Sequence, residues 1–353
     1  MLNSDFSEMK GELFMKESFG TLPSGQQATL YTISCGRLTA AVTDLGATLV
    51  RLLVPDAAGN VADVVLGHDD ANGYLSNDGF LGAIVGRNAN RVKDATFPLN
   101  GRQVRLTPLD SQFGNNLHSG PDCFHTRLWD VVHYEASSIT FRLESPDGDQ
   151  GFPGNATIRV TYSLDDNDTL HVIYDGICDK DTVFNMTNHS YFNLAGHDHP
   201  EAAMNQLLTL PARFFNADDA ESIPTGELRP VEGSPMDFRT PKPIGRDINE
   251  DYDALNLQSG YDHNFEVFTN PCAILSDPIS GRTMAVSTDL PGVQFYAGNY
   301  LDQTGKGGVY YGKRSGVALE TQYYPDSVNH PEWPQPFVKA GVPYHTETRF
   351  RFK

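Results

Sequence analysis

A chain of 353 residues with a formal net charge of −19 repels phosphate backbones and anionic lipid headgroups, and no Lys/Arg run provides a local exception. Nucleic-acid and membrane partners are therefore not expected. With 39% hydrophobic residues, 20 Phe, 15 Tyr and only 20% charged residues, the composition supplies a large core and excludes a disordered chain.

The opening MLNSDFSEMKGELF lacks the basic-then-apolar pattern of a secretory signal, and no apolar run is long enough to span a bilayer, so a cytoplasmic location is expected. LTAAVTDL (38–45) and ATLVRLLV (47–54) read as strands, and DDANGYL (69–75) as a short helix. SITFRLE (138–144) alternates Ile139, Phe141 and Leu143, and the turn-rich SPDGDQGFPGNA follows it. TIRVTYSL puts Ile158, Val160, Tyr162 and Leu164 on one face. DDND turns the chain, and TLHVIY resumes with Leu170, Val172 and Tyr174, which predicts a hairpin. The Pro-rich stretch 223–244 reads as a long surface loop, and RTMAVSTD (282–289) as another strand. Cys35, Cys123, Cys178 and Cys272 show no C-x-x-C spacing, which argues against a disulfide framework or a zinc knuckle. The fold class is all-β, a system of antiparallel strands with few short helices.

Three segments carry polar residues in strand alternation. TVFNMTNHSYFNLAG (182–196) reads as a strand with Asn185, Thr187, His189, Tyr191 and Asn193 on one face, opposite Phe184, Met186 and Phe192. A solvent face would favour Lys, Glu, Arg and Thr, whereas this row is short-armed and uncharged. GVALETQYY (316–324) places the small Gly316 and Ala318 ahead of a lone carboxylate, Glu320, and PGVQFYAGN points Gln294 and Tyr296 away from Val293 and Phe295. Brought together in one sheet, three such rows form a concave groove of hydrogen-bonding groups suited to a polyhydroxylated ligand, a sugar.

These segments resemble the aldose 1-epimerase, or galactose mutarotase, family. The resemblance runs through LGAIVGRNANRV (81–92), NNLHSGPDCFHTRLW (115–129), DGDQGFPGN (147–155), TNHSYFNLAG (187–196), GYDHNFEV (260–267), PGVQFYAGNYL (291–301) and GVALETQYYPDSVNHPEWP (316–334). It implies a single domain over 1–353, a large antiparallel β-sandwich of the galactose mutarotase-like supersandwich type, and interconversion of the α and β anomers of free hexoses. It also implies a monosaccharide substrate and no metal or organic cofactor. Carried over by motif, Glu320 is the general base and His189 the general acid, while Asn90, Arg91, His118, Tyr191, Asp262 and Gln294 hold the sugar. Ser119 and Cys123 depart from the family's glycines, which puts the change at the pocket rim and in hexose preference rather than in reaction type.

The chemistry suits these residue types. Opening a hemiacetal takes a proton from the C1 hydroxyl while another reaches the ring oxygen, so an acid and a base must flank the anomeric centre, each worth roughly 10²- to 10⁴-fold. The expected starting state is an ionised Glu320 and a protonated His189, with Asp262 favouring the imidazolium. Without the resemblance, His118 could simply bond backbone and Arg91 pair with a surface carboxylate. Three rival readings remain. A hexose-6-phosphate epimerase would need a cationic pocket from Arg87, Arg127 and Arg314. A sugar sensor would not need an acid and a base on opposite sides of one pyranose. A glycoside hydrolase would have to pair Asp262 with Glu320.

Overall fold

The computed structural model describes residues 7–9, 12–76, 79–109 and 112–353, with side chains from Met15 onward. The predicted hairpin is present: strands Ala156–Asp165 and Thr169–Cys178 pair antiparallel, with Leu164 opposite Leu170 and Tyr162 opposite Val172. Their alternate residues therefore share one buried face. They lie within a nine-stranded sheet that also contains Ser138–Ser145, the C-terminal strand Tyr344–Phe352 and Thr283–Thr288. An N-terminal meander of six strands runs from Ser7–Met9 to Val61–Asp63.

A third sheet has six strands in the order Tyr191–Phe192, Val317–Gln322, Gly292–Tyr296, Asp262–Glu266, Phe214–Asp218 and Pro224–Pro230. Its pairings are antiparallel. One face supplies Val293, Phe295, Val317, Leu319 and Phe265 to the main core, where they meet Phe141, Val160, Val172, Val286 and Phe350 of the nine-stranded sheet. Each such burial contributes about 1.5–3 kcal/mol. That packing fixes the opposite face of the sheet as the one free to carry polar side chains.

The helices are short. Ala71–Leu75 falls where a helix was expected, and the Asp70 carboxylate accepts from the Gly73 amide at 2.9 Å as its N-cap. Asp253–Gln258 is the second α-helix. No helix among the described residues is long and apolar enough to cross a membrane.

Two expectations need correction. Residues 182–196 do not form one strand but three two-residue strands, Thr182–Val183, Thr187–Asn188 and Tyr191–Phe192, each pairing with a different partner. Both of the faces assigned to it are buried. Nor is 223–244 a surface loop. It contains the strand Pro224–Pro230 at the edge of the third sheet, and its Val231, Met236 and Phe238 are buried, with Phe238 packed edge-on against Tyr261 and Phe295.

Candidate active site

Strand register builds the site. Asp262, Tyr296, Ala318 and Tyr191 stand side by side in one row across the third sheet, and Asn264, Gln294 and Glu320 form the next row on the same face. Continuing the pairing of Tyr191 with Ala318 by two residues sets His189 opposite Glu320, and Nε2 of His189 lies 3.6 Å from Oε1 of Glu320. That separation is too long for a hydrogen bond, so the two groups face one another unengaged. They are neighbours rather than groups on opposite sides of a pyranose, and this suits the chemistry, because the two oxygens of a hemiacetal share one carbon.

His189 is tightly held. Its amide donates to the Ala83 carbonyl at 2.8 Å and its own carbonyl accepts from the Gly82 amide at 3.0 Å. Its ring lies 5.0 Å from that of Tyr191, 5.5 Å from His118 and 5.9 Å from Phe80. The chain reversal that brings His118 in uses left-handed backbone at Asn90 (φ 60°) and His118 (φ 48°). Asn90 and His118 exchange backbone contacts there: the His118 amide donates to the Asn90 carbonyl at 3.0 Å, and the Asn90 amide donates to Nδ1 of His118 at 3.1 Å. His118 thus bonds backbone, as the simpler reading has it, and also lines the cavity.

The cavity measures about 360 Å³ and is lined by Asn90, Arg91, His118, His189, Tyr191, Asp262 and Glu320, a size proper to small-molecule sites. Gln294 is not in its wall; it donates from Nε2 to Oδ1 of Asp262 at 2.8 Å and so orients that carboxylate from behind. The polar row of 182–196 divides. Asn185 accepts from the Tyr323 amide at 2.8 Å, and Asn193 donates to the His199 and Ser315 carbonyls, both structural tasks, whereas His189 and Tyr191 reach the cavity. The wall also contains Phe80, Tyr296, Tyr300, Leu301, Asp302 and Gln303. Of these, only Tyr296 had a signal in the sequence, two places beyond Gln294 in the strand alternation. Ser119 is buried, its hydroxyl exchanging hydrogen bonds with the backbone of Asn88.

Burial dominates the electrostatics. It pushes the Glu320 carboxyl well above its ordinary value; the Asp262 charge adds to the rise and Arg91 opposes it. Burial lowers His189 to about 4. Asp262 is raised by burial against Arg91 and the Gln294 hydrogen bond. Asp218, on the neighbouring strand, is raised well above its ordinary value by burial and by Asp262. The empty site thus departs from the expected ionisation. Desolvation penalises both charges, raising the Glu320 carboxyl and lowering the His189 imidazole. Asp262 acts on Glu320, not on the imidazole.

One ligand atom from each of His118, His189 and Glu320 falls within 4.8 Å of the others, a set that could close on a metal ion. Against this, Nδ1 of His118 accepts a backbone N–H, which puts the ring proton on Nε2, and a ring in that tautomer offers an oxygen a donor rather than an ion a lone pair. The proposed phosphate arginines lie elsewhere. Arg87 is buried and spends its donors on Ser145, Pro146, Pro153, Gly154 and Thr182. Arg127 pairs with Asp149 and Asp122, and Arg314 bonds Asn249 and Ser259.

Residues 29–351 match the protein family described as aldose 1-epimerase. The chain belongs to the aldose 1-epimerase family. It is similar to the galactose mutarotase of Bos taurus, 38% identical over 341 residues that cover 95% of this chain and 97% of that protein. It is 40% identical over 317 residues to the aldose 1-epimerase of Haemophilus influenzae, covering 88% and 91% of the two chains. Among solved structures, a GalM/aldose epimerase homologue from C. elegans superposes with a TM-score of 0.85 at 29% identity, covering 92% of this chain and 98% of that one. The aldose 1-epimerase fold, a galactose mutarotase-like β-sandwich, is therefore the architecture of this chain.

Proposed function

We infer that this aldose 1-epimerase interconverts the α and β anomers of free hexoses such as galactose and glucose, with Glu320 and His189 as its proton-transfer pair. The observation that carries this reading is the 3.6 Å approach of Nε2 of His189 to Oε1 of Glu320 at the floor of a hexose-sized polar cavity. From the tautomer with Glu320 ionised and His189 protonated, Glu320 takes the proton of the C1 hydroxyl as His189 delivers one to the ring oxygen, the C1–ring oxygen bond breaks, and the aldehyde turns about C1–C2. Reclosure on the other carbonyl face returns both protons, so no net proton is consumed. Arg91, Asn90, His118, Tyr191 and Asp262 grip the hydroxyls, and Gln294 acts by fixing Asp262. The arginines at 87, 127 and 314 are committed elsewhere, which disfavours a hexose-6-phosphate substrate.

The whole chain is read as one domain, a view supported by site residues drawn from position 90 to position 320. No disulfide joins Cys35, Cys123, Cys178 and Cys272 among the described residues, which fits a reducing, cytoplasmic location. The test is polarimetry on freshly dissolved α-D-galactose and α-D-glucose at low buffer concentration. The wild type should accelerate mutarotation, and Glu320→Gln should lose at least 10²-fold of that acceleration. Saturable sugar binding without acceleration by the wild type would mark a sensor instead.

A further inference from the structure

We propose that Gln303, oriented by His68, is a sugar-recognising residue that sets which hexose this site prefers. The inference rests on the epimerase reading above. Gln303 begins the short strand Gln303–Thr304, which pairs with Tyr310–Tyr311. It lines the catalytic cavity beside Gly79 and Asp302, and also a small chamber directly behind it that contains His68 and His125.

Its side-chain oxygen lies 3.1 Å from Nε2 of His68. His68 is itself fixed: its backbone N–H donates to the Tyr74 hydroxyl at 3.1 Å, and its ring meets that of Tyr74 edge-on at 5.1 Å. Burial lowers the imidazole against its hydrogen bonds to Gln303 and the Thr304 backbone, and we take the tautomer with the proton on Nε2, in which the ring donates to the Gln303 oxygen. The Gln303 amide nitrogen is then left with both hydrogens, and no described protein group is hydrogen-bonded to it. That nitrogen lies against the cavity wall at Gly79, where an added Cβ would come within 2.6 Å of it. Glycine at 79 is what lets the amide reach the wall.

The groups assigned to proton transfer and hydroxyl grip come from strands and turns around Asn90, His118, His189, Asp262 and Glu320. Gln303 belongs to a different segment, 300–303, which forms its own part of the wall. A donor fixed there rewards the epimer whose hydroxyl reaches it and offers nothing to the epimer whose hydroxyl does not. Sugars that differ only in the configuration of one hydroxyl would be distinguished by this residue, at no cost to the acid–base step.

The experiment compares kcat/KM for mutarotation of galactose, glucose, mannose and xylose by the wild type, Gln303→Ala, His68→Phe and the double variant. In Gln303→Ala the preferred hexose should lose about tenfold in kcat/KM, chiefly through KM, while the poorest substrate changes little. His68→Phe keeps an aromatic ring against Tyr74 yet frees Gln303, so it should shift the preference in the same direction. The double variant should be no worse than Gln303→Ala alone, because the two residues act as one unit. A uniform loss across all four sugars, or additive effects in the double variant, would overturn the proposal. Inactivity of the wild type on every sugar would instead refute the epimerase reading.

Discussion

Glu320 and His189 owe their titration to burial, and the pH dependence of the reaction follows from that. Catalysis needs one proton on the pair, whichever member holds it, because Glu320-H with neutral His189 and ionised Glu320 with imidazolium have the same proton count. With His189 lowered to about 4, a second proton is added only below that pH, and Glu320 can then no longer receive the C1 proton. With Glu320 raised well above its ordinary value, the single proton is lost only on the far side of that raised value. The acid limb of kcat/KM should therefore lie near pH 4, and the alkaline limb above the ordinary carboxylate range. An unperturbed pair would lose its proton at about 6.5, the ordinary histidine value. A decline in kcat/KM centred there, measured after subtracting uncatalysed mutarotation, would show that the free enzyme keeps an ordinary imidazolium.

Among the elements, segment 182–196 shows how far alternation can be read. Hairpin 156–178 was legible because each strand has one buried and one wetter face, which writes a period of two into the sequence. Segment 182–196 carries the same period, but both its faces are buried, so polar residues there serve the backbone as often as the ligand. The sequence could not separate Asn193 from His189. Gln206 donates from Nε2 to Oδ1 of Asn193 at 2.6 Å, and Asn193 itself donates to two carbonyls. Asn193→Ala should cost about 1–3 kcal/mol in denaturant unfolding for the groups it leaves unpaired, with KM for hexose unchanged. A large rise in KM without loss of stability would return Asn193 to the site. The strand Pro224–Pro230 was missed for a different reason. Proline punctuation reads as loop, yet proline is tolerated on a sheet edge, and this strand lies there.

Taken as a whole, the molecule assembles its site from positions far apart in the chain, from Asn90 to Glu320. Short motifs could mark those residues individually, and family resemblance could order them. Nothing in the periodicity could show that Gln294 stands behind Asp262 or that Phe80 and Gln303 complete the wall, since those placements come from sheet register and loop paths. Net charge also acts at this scale. A chain at −19, with Asp302 in the cavity wall, repels an anionic substrate. Glucose 6-phosphate should react with a kcat/KM at least tenfold below that of glucose, and added salt should narrow the gap by screening. Equal rates for the two sugars would point to a phosphate pocket.

The backbone clamp on His189 and the pairing of the Glu320 strand on both sides leave the two groups proposed to react nothing to wait for. Neither rides on a flap, so the machinery stands assembled before any hexose arrives. Turnover paced by traffic through the mouth of the cavity would fall as the solvent thickens, and a rate indifferent to viscosity would place the slow step in the proton transfers.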